Sequence, residues 1–161
     1  MSARVGLGFD VHAFSDDSGR TLVLGGVPVP GERGLAGHSD ADVIAHAVAD
    51  ALLGPAGLPD LGALFPASDD RYKGASSIAL LRDVAMLVNA EGWSVGNVDV
   101  VVNAERPVLA PHLGAMQQNL ADVLGPGAFV SVKPKRGEGV GAVGRGEGIA
   151  VWAVALLERS P

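Results

Sequence analysis

The chain predicts an α/β (α+β two-layer) fold, a mixed β-sheet with three helices on one face, and three observations carry it. Residues 5–12 and 95–103 alternate apolar and polar at period two, as strands do. Residues 149–157 are apolar at both parities, which suits a central strand buried on both faces. Between these lie apolar stripes at helical spacing, over 39–53, 76–91 and 111–124. Three helices cover one sheet face only. Self-association is the simplest way to cover the other.

With 161 residues, 48% of them hydrophobic, the chain suits a single domain, 1–161, with a real core. The net charge of −6 argues against a nucleic-acid partner, because phosphate backbones recruit Lys and Arg. The absence of cysteine excludes disulfides and thiolate metal sites, so any metal must be held by His and carboxylates. No signal-peptide pattern and no long apolar run appears, so the expectation is a soluble, cytoplasmic protein with no membrane partner.

In order along the chain, the strand over 5–12 is followed by a turn at 16–19. Short strands over 21–24 and 27–29 then flank Gly25-Gly26 as a hairpin. Residues 31–37 read as a loop. The first helix takes Ser39 as N-cap, with Asp42 three residues on in a capping-box arrangement, and ends at Gly54-Pro55. Val43, Ala47, Val48, Ala51 and Leu52 form its buried stripe, and Asp42, His46 and Asp50 a second row at i, i+4, i+8. A long loop over 58–71 has enough apolar residues to pack over something. The second helix puts Ile78, Leu81, Val84, Ala85 and Val88 inward, and the third Leu113, Met116, Leu120 and Val123. A short strand is expected over 130–133. Arg136-Gly137-Glu138-Gly139 recurs as Arg145-Gly146-Glu147-Gly148, a local repeat within a Gly-rich turn.

Chemistry concentrates in two stretches. Asp10 and His12, two apart at a strand end, share a face. His46 lies inside a helix between Asp42 and Asp50. One carboxylate and two imidazoles suffice to hold zinc and leave a fourth position open. On spacing alone a second reading stands beside it: His46 packs between helix and sheet with Asp42 or Asp50 as hydrogen-bond partner. His38 and Ser39 stand at a helix N-terminus, where free N–H groups favour an anion such as phosphate, although capping alone also accounts for Ser39. Lys133, Lys135, Arg136 and Arg145 are the one basic cluster of an acidic chain. Among glycines they suit either a phosphate cradle, with Glu138 able to hold a hard cation, or an exposed turn. His112 receives no role.

Together these motifs resemble one family closely, the 2-C-methyl-D-erythritol 2,4-cyclodiphosphate synthases of the non-mevalonate isoprenoid pathway. The resemblance covers nearly the whole chain. It rests on Gly8-Phe9-Asp10-Val11-His12, Gly37-His38-Ser39-Asp40-Ala41-Asp42, Asp60-Leu61-Gly62 with Phe65-Pro66, Gly96-Asn97-Val98-Asp99, Arg106-Pro107 and Gly144-Arg145-Gly146-Glu147-Gly148. It implies a homotrimer with active sites between subunits and Zn²⁺ on Asp10, His12 and His46. A second divalent cation, Mg²⁺ or Mn²⁺, is implied on Glu138. The implied enzyme is a metal-dependent phosphorus–oxygen lyase acting on 4-diphosphocytidyl-2-C-methyl-D-erythritol 2-phosphate. The 2-phosphate attacks the β-phosphorus, closing the cyclic diphosphate and releasing CMP. His38 and Ser39 are implied at the phosphates, His38 as the catalytic group. Asp60, Leu61 and Gly62 are implied at the erythritol, with Phe65 to Asp69 as a flap. Ala104, Pro107, Lys135 and Arg136 of the adjacent subunit are implied at the cytidine, and Arg145 near the trimer axis, where some members hold an isoprenoid diphosphate.

The chain departs from the family pattern at two positions. Arg136 stands where the family usually has Thr, and Val108 where it often has Lys. Arg136 brings charge to the same phosphate but is bulkier than Thr and lacks its hydroxyl, so a retuned turnover is expected. That substitution is the one feature favouring a rival reading, a non-catalytic trimer that binds an isoprenoid diphosphate. A zinc-dependent phosphohydrolase is a third.

Overall fold

The computed structural model describes residues 2–159. Four strands, β1 (Ser2–Ala13), β6 (Gly148–Arg159), β4 (Ser94–Asn103) and β5 (Phe129–Lys135), form one sheet in the order β1-β6-β4-β5. The β1–β6 and β6–β4 pairs are antiparallel and β4–β5 is parallel, so the sheet is mixed. A separate hairpin pairs β2 (Leu22–Leu24) with β3 (Val27–Val29) across Gly25 and Gly26, both at positive φ (57° and 71°), the conformation tight two-residue hairpins require. The helices are α1 (Val43–Ala56), α2 (Leu61–Leu64), α3 (Ser77–Ala90), α4 (Leu113–Leu124) and α5 (Gly141–Gly144). Helix α1 lies across β1 and β6, α4 lies against β5, and α3 packs between α1 and α4. The buried side chains form one core between this helix layer and the sheet.

Glycine sets the depth of α1 on the sheet. Gly6, Gly8, Asp10 and His12 turn to the helix side of β1, while Val5, Leu7, Phe9 and Val11 face away. A Cβ on Gly6 would lie 2.0 Å from the Ala51 carbonyl oxygen, and one on Gly8 would lie 1.8 Å from that of Ala47. Backbone therefore meets backbone. Pro55 sits in the last turn of α1 and offers no N–H to Ala51 four residues back. The helix continues past it, ending at Gly57 (φ 80°), where the Leu58 N–H reaches the Leu53 carbonyl at 3.0 Å.

Several boundaries differ from the sequence reading. Helix α1 starts at Val43, because Ala41 adopts φ 58° and Asp42 is extended, so the 39–42 segment is not helical. Its N-cap is Asp42 rather than Ser39. The buried Asp42 carboxylate accepts from Ile44 and Ala45 N–H, both at 3.1 Å, and from Gly25 (2.9 Å) and Gly26 (2.6 Å) of the hairpin turn. Burial pushes this carboxyl up, while the Gly26, Ala45 and Gly25 amides pull it back only in part. Asp42 thus ties the hairpin to α1 and does not partner His46. The 58–71 loop contains α2 and a short 3₁₀ turn, Asp70–Tyr72. Strand β5 runs on to Lys135. Strand β6 is central, yet buried on both faces only over residues 148–151, after which Trp152 (40% exposed) and Val154 (42%) face outward beside Val5, Leu7, Phe9 and Val11. Among the described residues, these side chains leave an exposed apolar patch on that face. No described helix is long and apolar enough to cross a membrane.

Candidate metal centre

The close approach of α1 to β1 brings three side chains together. His46 precedes Ala47, which touches Gly8, and Asp10 and His12 follow Gly8 on the same strand face. Asp10 Oδ2 lies 3.0 Å from His12 Nε2 and 3.0 Å from His46 Nδ1, and the two ring nitrogens are 3.3 Å apart. Ligands at about 2.0–2.1 Å in tetrahedral array are spaced by about 3.3–3.4 Å, so the three atoms trace one face of such a polyhedron. Among the described residues this is the group of three whose donor atoms converge on one point. The donor set, one carboxylate and two imidazoles with no thiolate, suits zinc, which these three residues would hold at the wall of a cavity.

The second nitrogen of each ring is also engaged, as metal-binding imidazoles require. His12 Nδ1 donates to the Ala36 carbonyl at 2.5 Å, so Nε2 is the nitrogen turned to Asp10 and available as a ligand. His46 Nε2 lies 2.9 Å from Ser77 Oγ and 3.2 Å from Ser39 Oγ. The Arg20 guanidinium donates to the carbonyls of Gly37 (3.0 Å) and Ser39 (2.7 Å), fixing the loop that carries His38. Burial alone would raise Asp10, but hydrogen bonds to His12 and His46 and their charge hold it well below the usual carboxylate range. Burial would lower His12, but Asp10 and the Ala36 carbonyl outweigh it and raise it. The site thus sets a carboxylate held low against an imidazole raised by it.

Asp10, His12, His38, Ser39 and His46 line one cavity of about 280 Å³, together with Leu61, Gly62 and Phe65. His38 Nε2 bonds the Asp69 carbonyl at 3.1 Å. The Asp69 carboxylate turns away to Arg71 at 2.6 Å, and Asp60 caps α2 by accepting from Ala63 N–H at 2.8 Å. Neither aspartate side chain lines the cavity. Ala104, Pro107, Lys135 and Arg136 line a second cavity of about 550 Å³, which shares no wall with the first within the chain. Arg136 pairs there with Glu105. Arg145 lies in a third recess with Arg33 and Arg106 and pairs with Glu147 at 2.6 Å. Glu138 is exposed at φ 52° in the turn before α5 and lines none of the three recesses.

The sequence reading gave no role to Tyr72 or Ser77, and offered Asp50 only as a partner for His46. Tyr72 meets Phe65 edge to face at 5.3 Å between ring centroids. Asp50 accepts from Leu61 N–H at 2.8 Å, anchoring α2 rather than His46, and burial raises its carboxyl. Ser77 and Asp40 stand behind His46. The Asp40 position within His38-Ser39-Asp40 was the one available signal, whereas Ser77 reads as an ordinary first-turn serine.

The YgbB family model matches residues 3–158. A 2-C-methyl-D-erythritol 2,4-cyclodiphosphate synthase of Rubrobacter xylanophilus is 58% identical over 98% of this chain and 96% of its own length. Among solved structures, the bifunctional IspDF of Campylobacter jejuni superposes at TM-score 0.92 with 39% identity over 99% of this chain, which spans 43% of that longer chain. IspF of Plasmodium falciparum, in a CDP complex, superposes at TM-score 0.84 with 32% identity over 99% of this chain and 98% of its own. With the Asp-His-His centre in place, these likenesses establish that the chain belongs to the YgbB family.

Proposed function

We propose that this chain is the cyclising lyase its family and its metal centre point to. It converts 4-diphosphocytidyl-2-C-methyl-D-erythritol 2-phosphate to the 2,4-cyclodiphosphate and CMP. The observation that carries the reading is the convergence of Asp10 Oδ2, His12 Nε2 and His46 Nδ1 within 3.0–3.3 Å of one another beside an open cavity. A divalent metal bound there would neutralise and polarise a phosphoryl oxygen. The nucleophile needs no strong base, because the second pKa of a phosphate monoester is about 6. What the protein must supply is positioning and positive charge for two anions.

In this reading His38, at the cavity wall, orients the phosphates. Ser39 backs His46. Leu61, Gly62 and Phe65 shape the erythritol end, with Asp60 beside them capping α2 and Asp69 closing over it through its carbonyl contact to His38. The nucleotide occupies the second cavity, where Arg136 and Lys135 meet its phosphate and Ala104 and Pro107 its base. Because the two cavities share no wall within one chain, a substrate spanning both fits a site built between subunits of a homotrimer. The uncovered apolar face of β1 and β6 supports that assembly, since apolar patches of this kind mark interfaces. Glu138 holds the second cation, Mg²⁺ or Mn²⁺, and Arg145 lies near the trimer axis. Residues 1–161 act as one domain, in the cytoplasm, where a nucleotide-linked substrate is made.

Phosphorus NMR of the purified protein with the diphosphocytidyl substrate and Mg²⁺ tests the proposal. The expected result is the cyclic diphosphate with stoichiometric CMP. Linear phosphate products would indicate a phosphohydrolase, and an unchanged substrate a binding protein. Either contradicts the reading.

A further inference from the structure

We infer that Ser77 and Asp40 are positioning residues for His46, a hydrogen-bonded relay that fixes which of its ring nitrogens is left to a metal. The inference rests on the metal reading of Asp10, His12 and His46.

The relay follows from the valences of one hydroxyl. Ser77 is 1% exposed, so its Oγ must find all its partners inside the protein. It has three. His46 Nε2 lies at 2.9 Å and Ser39 Oγ at 3.2 Å, and the Asp40 carboxylate receives the hydroxyl proton. A carboxylate oxygen accepts, so the Ser77 hydroxyl donates to Asp40. The hydroxyl then has only lone pairs to offer His46, whose Nε2 must carry the ring proton. Its Nδ1, 3.0 Å from Asp10 Oδ2 and 3.3 Å from His12 Nε2, is thereby the ring nitrogen left to a metal. His12 achieves the complementary arrangement by another route, donating Nδ1–H to the Ala36 carbonyl. Each ring thus has one nitrogen held by the protein and turns the other, His12 Nε2 or His46 Nδ1, to the same place beside Asp10.

The arrangement is not a by-product of helix capping. Ser76, not Ser77, caps α3, accepting from Ala79 N–H at 3.4 Å. Asp40 is itself held, accepting from the Ser77 N–H (3.1 Å) and the Asp42 N–H (3.2 Å). The 38–40 segment is stitched to the start of α3 through Gly74 N–H to His38 O at 2.8 Å and Asp40 N–H to Ala75 O at 3.0 Å. The start of α3 and the His38 loop therefore move as one unit behind the imidazole.

The test measures zinc affinity by chelator competition on the full chain, with thermal melting of the zinc-free and zinc-loaded forms. Outer partners of metal ligands typically change affinity by about 10–100-fold. Ser77→Ala is expected to weaken zinc binding by that amount and to shrink the rise in melting temperature on zinc addition. Asp40→Asn, which keeps the volume, is expected to weaken it by about tenfold and serves if Ser77→Ala does not fold. Ser76→Ala, the capping control, lowers the melting temperature of the zinc-free form and leaves zinc affinity at the parent value. Parent-like affinity, within about threefold, in folded Ser77→Ala or Asp40→Asn overturns the relay. A parent that binds no zinc overturns the metal reading itself and the relay with it. Loss of cyclisation with intact zinc binding bears only on the proposed reaction.

Discussion

Gly8 and Ala47 touch through their backbones: a Cβ on Gly8 would stand 1.8 Å from the Ala47 carbonyl oxygen. This contact sets the distance between strand and helix, and hence between Asp10 and His46. Neither partner has a flexible side chain to move aside. Gly8→Ala is expected to push α1 off β1 and to destabilise the fold by at least about 3 kcal/mol, the upper range for overpacking. Chemical denaturation measures the loss, and zinc affinity should fall with it. A variant of parent stability would mean that the helix is not seated by this glycine.

The metal-free centre has a stability window in pH. Asp10 is depressed below its ordinary value of 3.8, so its contribution is present above that value and lost as pH falls through the lower, folded one. His12 is raised above 6.5, so its contribution is full below 6.5 and lost as pH rises through the higher, folded value. The pair therefore stabilises the metal-free protein most between about pH 4 and 6.5. In chelator, the stability difference between the parent and His12→Gln should peak in that window and shrink above it. Zinc must expel the His12 proton, so zinc affinity should rise with pH over the range where this stabilisation fades. A difference that grows steadily toward alkaline pH would contradict the assignment.

Arg136, at the position where the resemblance implies Thr, is bound to Glu105, with most of its side chain in solvent. In that position it supplies charge but no hydroxyl. Arg136→Thr is therefore expected to hold or raise the cyclisation rate, measured as CMP release under saturating substrate. A tenfold fall would show that Arg136 is the better residue here and that the site is not detuned.

Leu7 is 68% exposed on the open sheet face, with Val5, Phe9, Trp152 and Val154 around it. A charge buried at a subunit contact without a partner is costly. In the proposed homotrimer, Leu7→Asp should yield monomers in sedimentation and abolish cyclisation, with zinc affinity retained because the triad lies on the other face of β1. A parent that sediments as a monomer would remove the basis for a shared site.

The alternation of Val5, Leu7, Phe9 and Val11 against Gly6, Gly8, Asp10 and His12 was legible, because a strand's period of two is a local property. The stripe of Val43, Ala47, Val48, Ala51 and Leu52 was equally so, and all five are buried. The start of α1 was not. Asp42 wins the cap because its carboxylate also reaches Gly25 and Gly26, a contact made only after the hairpin docks. Strand β6 read as buried on both faces because its apolar residues alone do not tell a core from an interface, and Trp152 and Val154 face outward. At the metal centre, Asp10, His12 and His46 were readable as residue types. The pairing of Ser77 with His46, 31 positions apart, left no trace in spacing.

The central claim is that Asp10, His12 and His46 bind one metal ion together. Calorimetric titration of zinc into chelator-stripped protein tests it most directly. The account predicts about one zinc per chain for the parent and a loss of that binding in Asp10→Asn, with the fold retained. Binding of equal stoichiometry and affinity in both proteins, or none in the parent, would contradict it.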